Sequence, residues 1–173
     1  MIVVNSKKEL KKLINQRIRE QGLNCDLNDI DVSKVTDMSE LFMSSKFNGD
    51  ISAWDVSNVK NMSYMFYNSD FNGDLSKWDT GSVKNMMEMF SYTRFNGDIS
   101  GWDTSNVENM SFMFANSTFD GDISSWDVSG VVYMSHMFES SKFNGDLSKW
   151  DVRNVKNMFG MFYDSPIEGN EPD

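Results

Sequence analysis

The chain has one cysteine, Cys25, in 173 residues. No internal disulfide can form, so the fold needs no oxidising compartment. Histidine is equally scarce: His136 stands alone. No phosphate-binding glycine loop, zinc-ligand spacing or serine-nucleophile motif is present, and enzymatic activity is not expected. No apolar run approaches the roughly 18 residues of a membrane span. The opening MIVVNSKKELKK has an apolar stretch of three residues followed by basic ones, too short for a signal-peptide core. A cytoplasmic location is therefore the default expectation. Positive charge is in deficit, with 16 Lys and Arg against 26 Asp and Glu, a net charge of −10 and a pI of about 4.5. That balance disfavours nucleic acid and anionic membranes as partners.

Apolar side chains, in contrast, are plentiful. Aromatics make up 13% of the chain and there are 14 methionines, too many for a disordered polymer. They recur at a period of 24 residues: Phe47, Phe71, Phe95, Phe119 and Phe143; Trp54, Trp78, Trp102, Trp126 and Trp150; Met62, Met86, Met110, Met134 and Met158. One unit reads FNGDISAWDVSNVKNMSYMFYNSD, residues 47–70. Residues 23–46 align without a gap, Leu23 taking the Phe position, Ile30 the Trp position and Leu41 the second Met. IEGN at 167–170 stands where FNGD is expected. Six units then occupy residues 23–166, with residues 167–173 as a tail, and degraded end units are what an array with solvent-facing ends requires.

Within the unit Phe47, Ile51, Trp54, Val56, Val59, Met62, Met65 and Phe66 are the apolar positions. Burying them in one isolated unit falls short of the entropy of ordering 24 residues, so units must stack on one another to fold. Met62, Met65 and Phe66 at i, i+3 and i+4 predict a short helix or 3₁₀ turn. Residues 50–54 are the best candidate for a short strand, and residues 55–58 read as a turn. The expected fold class is a repeat solenoid, leucine-rich-repeat-like and mixed α/β, with short stacked parallel strands and short helical turns. Residues 1–22 differ. Ser6 and Glu9 form a capping box, Leu10, Leu13, Ile14 and Ile18 share one face, and Gly22 is a C-terminal stop. These features predict an amphipathic capping helix over about 6–21, with Ile2, Val3 and Val4 as a possible strand. The cap carries a net +4 and the rest of the chain −14.

The motifs FNGDISxWD and VSNVxNMSxMF, repeated over residues 23–167, resemble the BspA-like leucine-rich repeats, also called the Mycoplasma lipoprotein repeat. That family occurs in bacterial surface proteins and some phage proteins. MFYDSPIEGNEPD resembles its closing segment. The resemblance implies a right-handed leucine-rich-repeat-type solenoid. It also implies a cell-surface or secreted setting in which the protein contacts host molecules or other cells. It implies no catalytic residues.

Two aspartate columns, Asp50 to Asp146 and Asp55 to Asp151, repeat at the same period. Like charges about 5 Å apart repel by roughly 0.8 kcal/mol even in water, so each unit must offset that. The leading expectation is that each Asp accepts N–H bonds from its own turn; calcium bound between columns is the lesser alternative. No other cofactor is expected. The Asn61, Asn85, Asn109 and Asn157 column, broken by Tyr133, reads as structural, and Cys25 falls where other units have Gly49 or Gly73.

With the fixed columns assigned to folding, function falls to the variable ones. Tyr64, Tyr67, Tyr92, Phe112, Tyr133, His136 and Tyr163 are the candidate partner-binding residues, with Met43 and Phe159 in related columns. His136 is expected to face outward without a partner. Exposed aromatics are enriched in binding hot spots. The expected function is a non-enzymatic protein-binding scaffold of bacterial or phage origin, monomeric or weakly self-associating. One alternative is an acidic inhibitor that imitates nucleic acid; another is a surface adhesin.

Overall fold

The computed structural model describes residues 1–167 and 171–172. Most of the tail, including the expected IEGN remnant beyond Ile167, lies outside these residues. The described residues contain one helix and two two-residue strands. The cap begins with β1, Ile2–Val3, which pairs in parallel with β2, Ile30–Asp31, in the first repeat unit. Helix α1 follows at Lys7–Gln21. The Ser6 side chain accepts the Glu9 N–H at its N-terminus. Glu9 itself reaches back to the N–H of Asn5 rather than of Ser6, at 2.8 Å. Gly22 stops the helix at φ 92°, a left-handed value suited to glycine, and donates its N–H to Ile18. Leu10 and Ile14 are fully buried against the first unit, with Leu13 and Ile18 half-covered. Lys7 beside Asp37 and Arg17 on Asp29 tie the basic helix to acids of that unit. These are exposed pairs, so the apolar face holds the cap.

Beyond the cap, hydrogen bonds join each unit to the next. The N–H groups of Met62, Tyr64, Phe66 and Asn68 donate to the carbonyls of Asn85, Met87, Met89 and Ser91 at 2.8–3.0 Å. Isolated parallel bridges run through Asp37, Asn61, Asn85, Asn109, Tyr133 and Asn157. The bridged column therefore lies at Asn61. Residues 50–54 form no strand: Trp54 N–H bonds back to the Ile51 carbonyl, closing a turn, and only Asp50 is bridged, to Asp26. Ile51 and Trp54 are both buried and three residues apart. A strand would send them to opposite faces.

The helical turn expected at 62–66 is also absent. Because alternate N–H groups point to the next unit, no i to i−4 bond can form there. Met65, Tyr67 and Ser69 instead bond three residues back, in successive β-turns. Tyr64 and Asn68 take φ of 59° and 50°, the left-handed values that the third residue of a type II turn needs. Equivalent residues repeat this from Glu40 and Ser44 to His136 and Ser140.

All eight apolar positions of the 47–70 unit are buried. Phe66, Phe90, Phe114, Phe138 and Phe162 stack at 5.5–5.9 Å. A second file, Phe47 to Phe143, runs beside it at 6.3–6.5 Å. Each Trp buries its ring and donates its indole N–H to a carbonyl of the preceding unit, as Trp102 does to Leu75 at 3.0 Å. At Gly97 an added Cβ would lie 2.9 Å from the Phe95 ring, so glycine lets the ring fold over its own backbone. The end units are looser. Leu23, aligned with the Phe file, is exposed where the chain leaves α1, and Met158 and Phe162 are half-buried.

The aspartate columns close turns. Asp50, Asp74, Asp98, Asp122 and Asp146 each accept the N–H of the serine two residues on, at 2.9–3.0 Å. Asp55 to Asp151 do the same with the residue two further on, at 3.0–3.2 Å. Asn61, Asn85, Asn109 and Asn157 repeat the motif. A further column links units: Asn48, Asn72, Asn96 and Asp120 accept the N–H of the residue 24 positions on. Side-chain and backbone hydrogen bonds from the serines hold Asp98, Asp103, Asp127 and Asp146 below the usual carboxylate range. Asp151 is drawn down to about 2, chiefly by the Arg153 side chain.

Two outcomes follow. Phe90→Ala, at a fully buried ring between Phe66 and Phe114, should cost about 3–5 kcal/mol in urea unfolding, and Phe162→Ala at the half-buried end distinctly less. The lowered carboxylates favour the ionised folded state. Their stabilisation is complete above the unfolded value of about 3.9 and lost as pH falls through the folded values. The urea midpoint should therefore drop from pH 5 to pH 2, and Ser100→Ala with Ser124→Ala should flatten that slope. A midpoint that rises on acidification would mean that repulsion along the columns dominates.

Candidate functional site

The repeating β-turns at 62–69 and their equivalents place the candidate residues. Met62, Met65 and Phe66 turn inward, so Tyr64, Tyr67 and Asn68 are left on the outer side. In space the candidates form two groups. Tyr64 and Tyr67 meet at 5.8 Å with rings tilted by 59°, and Tyr67 meets Tyr92 edge-on at 5.6 Å. Phe112 and His136 stack at 4.6 Å and 11°, and His136 meets the exposed Phe159 at 5.3 Å. Tyr133 and Tyr163 are exposed but have no ring contact among the described residues. Tyr163 shares the Tyr67 column of the outer face, whereas Tyr133 lies in the bridged Asn61 column that precedes the turns, and neither joins a group.

Several of these residues are less open than the sequence suggests. Tyr64, Tyr67, Phe112 and His136 are half-buried, whereas Tyr92 is 52% exposed. His136 is neither free-standing nor fully outward. Its ring lies between Phe112 and Phe159 and covers Gly160, whose added Cβ would come within 2.6 Å of it. Its Nδ1 is 2.8 Å from a Glu139 carboxylate oxygen, but off the direction of a hydrogen bond, and it has no other partner. The side chain works as a flat spacer within the column.

Around the tyrosines lies a hollow of 410 Å³ lined by Glu40, Met43, Tyr64, Tyr67 and Glu88. The Tyr64 hydroxyl donates to Glu88 Oε1 at 3.1 Å. Burial, then the Glu88 carboxylate, raises the Tyr64 phenol above its ordinary value. Glu40 and Glu88 were not candidates from sequence, although they occupy the same column as Tyr64. A neighbouring hollow of 530 Å³ is lined by Asn68, Ser69, Asp70, Tyr92 and Arg94 and is mostly polar.

Other reactive groups do not converge here. Cys25 is buried, and desolvation raises its thiol above the usual range, which suits packing rather than nucleophilic attack. No group of three or more His, Cys, Asp or Glu side chains gathers into a metal-binding set among the described residues. Among the described residues no helix is long and apolar enough to cross a membrane.

Among curated proteins and among solved structures, none matches this chain. One protein family does, over residues 8–118 and again over 91–169. Together the two matches span the cap helix and the repeat units, and so nearly all of the residues described above. The chain belongs to the family described as Mycoplasma protein of unknown function, DUF285.

Proposed function

We propose that the chain is a BspA-like, leucine-rich-repeat-like solenoid that works as a non-enzymatic scaffold, binding a protein partner through the outer face of its β-turns. The observation that carries this reading is the gathering of Tyr64, Tyr67 and Tyr92 into one contiguous aromatic group beside a hollow. Tyrosine offers a large, rigid contact area with a polar tip, the composition of interface hot spots. The remaining conspicuous side chains have structural duties: the Asp and Asn columns close turns or link units, and the Phe, Met and Trp files are buried. The repeat family and the hydrogen bonds between units support the solenoid. Bacterial origin accords with the family's description.

Backbone strain adds weight. The column of Glu40, Tyr64, Glu88, Phe112 and His136 is left-handed throughout, with φ of 54–59°. Such a conformation costs a non-glycine residue roughly 1–2 kcal/mol. Bulky side chains there are unusual, and strained positions concentrate at functional sites. Replacing Tyr64 and Tyr67 together by alanine should weaken capture of the partner from a lysate of the source cell or its host at least tenfold, while the urea midpoint stays close to that of the parent. Undiminished capture would move the binding surface off this face.

A further inference from the structure

The hollow beside Tyr64 has a chemistry more specific than aromatic surface. Glu40, Tyr64 and Glu88 follow one another in a single column at intervals of 24 residues, so one ring lies between two carboxylates. Tyr67 and Met43 close the next side. The Tyr64 hydroxyl engages Glu88 Oε1 and holds that carboxylate at the hollow. No Lys or Arg forms an ion pair with either glutamate among the described residues. Lys11 reaches the Glu40 main-chain carbonyl at 3.5 Å, not its carboxylate. Arg94 lines the neighbouring hollow and not this one.

Two unpaired carboxylates and two tilted tyrosine rings around one concave space make a receptor for a cation. A cation over a tyrosine face is attracted by the ring quadrupole, and the half-buried Glu88 carboxylate pairs with it more strongly than the exposed Glu40 does. We infer that this hollow receives an arginine side chain of the protein partner. Guanidinium is flat, so it stacks on a ring while its forked donors reach carboxylates on either side. The Glu–Tyr–Glu order supplies both needs at once. An ammonium is a compact, strongly hydrated point charge that stacks less well. This inference rests on the outer turn face being the protein-binding surface.

The probe is the peptide acetyl-Gly-Gly-Arg-Gly-Gly-amide, titrated into the full chain and followed by amide chemical shifts. Its neutral citrulline twin and its lysine twin serve as comparisons. The arginine peptide should shift residues 40, 64, 67 and 88, with the citrulline twin binding at least tenfold more weakly and the lysine twin several-fold more weakly. Glu40→Gln with Glu88→Gln should lower arginine-peptide affinity at least tenfold, and Asp98→Asn, which keeps its turn chemistry, should leave it unchanged. Retained folding of each variant is read from its urea midpoint. Equal binding of the arginine and citrulline peptides would overturn the inference, as would tighter binding of the lysine twin or shifts centred on the aspartate columns. The same glutamate variants in the partner-capture experiment separate the two ideas. Capture lost with the tyrosine variants but kept with the glutamate variants overturns the arginine site and leaves the face intact. Capture insensitive to both sets overturns both.

Discussion

The structure depends on where four N–H groups of each unit point. Met62, Tyr64, Phe66 and Asn68 give theirs to the following unit rather than to their own. That removes the possibility of a helix, because a helix spends every N–H within itself. The chain must then reverse by β-turns, with residues 64 and 68 left-handed. This geometry decides which side chains enter the core and which remain outside. Met62, Met65 and Phe66 go in, and the column of Tyr64 is left on the turn face. One hydrogen-bonding requirement thus sets the packing and the position of the candidate site together.

Packing along the array is a matter of neighbours. Each Phe66-type ring touches its counterparts in adjacent units, and contacts its Phe71-type partner more closely, as Phe90 does Phe95 at 4.3 Å. Ring contacts are local to neighbouring stretches of the array, so an end unit has partners on one side only. At one end α1 supplies the missing apolar surface through Leu10 and Ile14. At the other, Val152, Val155, Met158 and Phe162 are only partly covered among the described residues. The indole N–H of each Trp is buried but bonded to the preceding unit, so a large ring adds to the core without leaving a polar atom stranded.

Much of this was legible because the repeat states each position several times. The period, the buried Phe, Trp and Met files, the cap helix and the turn-closing aspartates all follow from residue type and spacing. The elements inside the unit were not legible. The i, i+3, i+4 spacing of Met62, Met65 and Phe66 fits a helical turn and a run of β-turns equally, since both bring those side chains to one side. What separates them is the destination of the N–H groups, which lies in the next unit and leaves no local mark. Ile51 and Trp54 at i, i+3 did carry a usable signal against a strand. The Asn48 column leaves no local mark either, because its amide oxygen serves the neighbouring unit. Glu40 and Glu88 carry no sequence mark that sets them apart from solvated acids; only the hollow they share with Tyr64 does.

The left-handed column shows how such a scaffold can vary without losing its fold. Its residues are Glu40, Tyr64, Glu88, Phe112, His136 and Gly160, and their shared property is φ between 54° and 65°. Glycine would be the least strained choice at every one, yet it occurs only at Gly160. There the His136 ring lies where a Cβ would stand, held by stacking on Phe112. The His136 ring thus takes the room that a side chain at position 160 would need, and glycine there leaves it free. Tyr64 instead stands upright enough for its hydroxyl to reach Glu88, and the neighbours on both sides keep full side chains. Occupancy is therefore correlated from unit to unit: stacking rings close the surface around residue 136, while alternating acid and ring open it around residue 64. Two chemically distinct patches arise from one backbone conformation, and the difference between them lies in which side chains occupy the column and how they are directed.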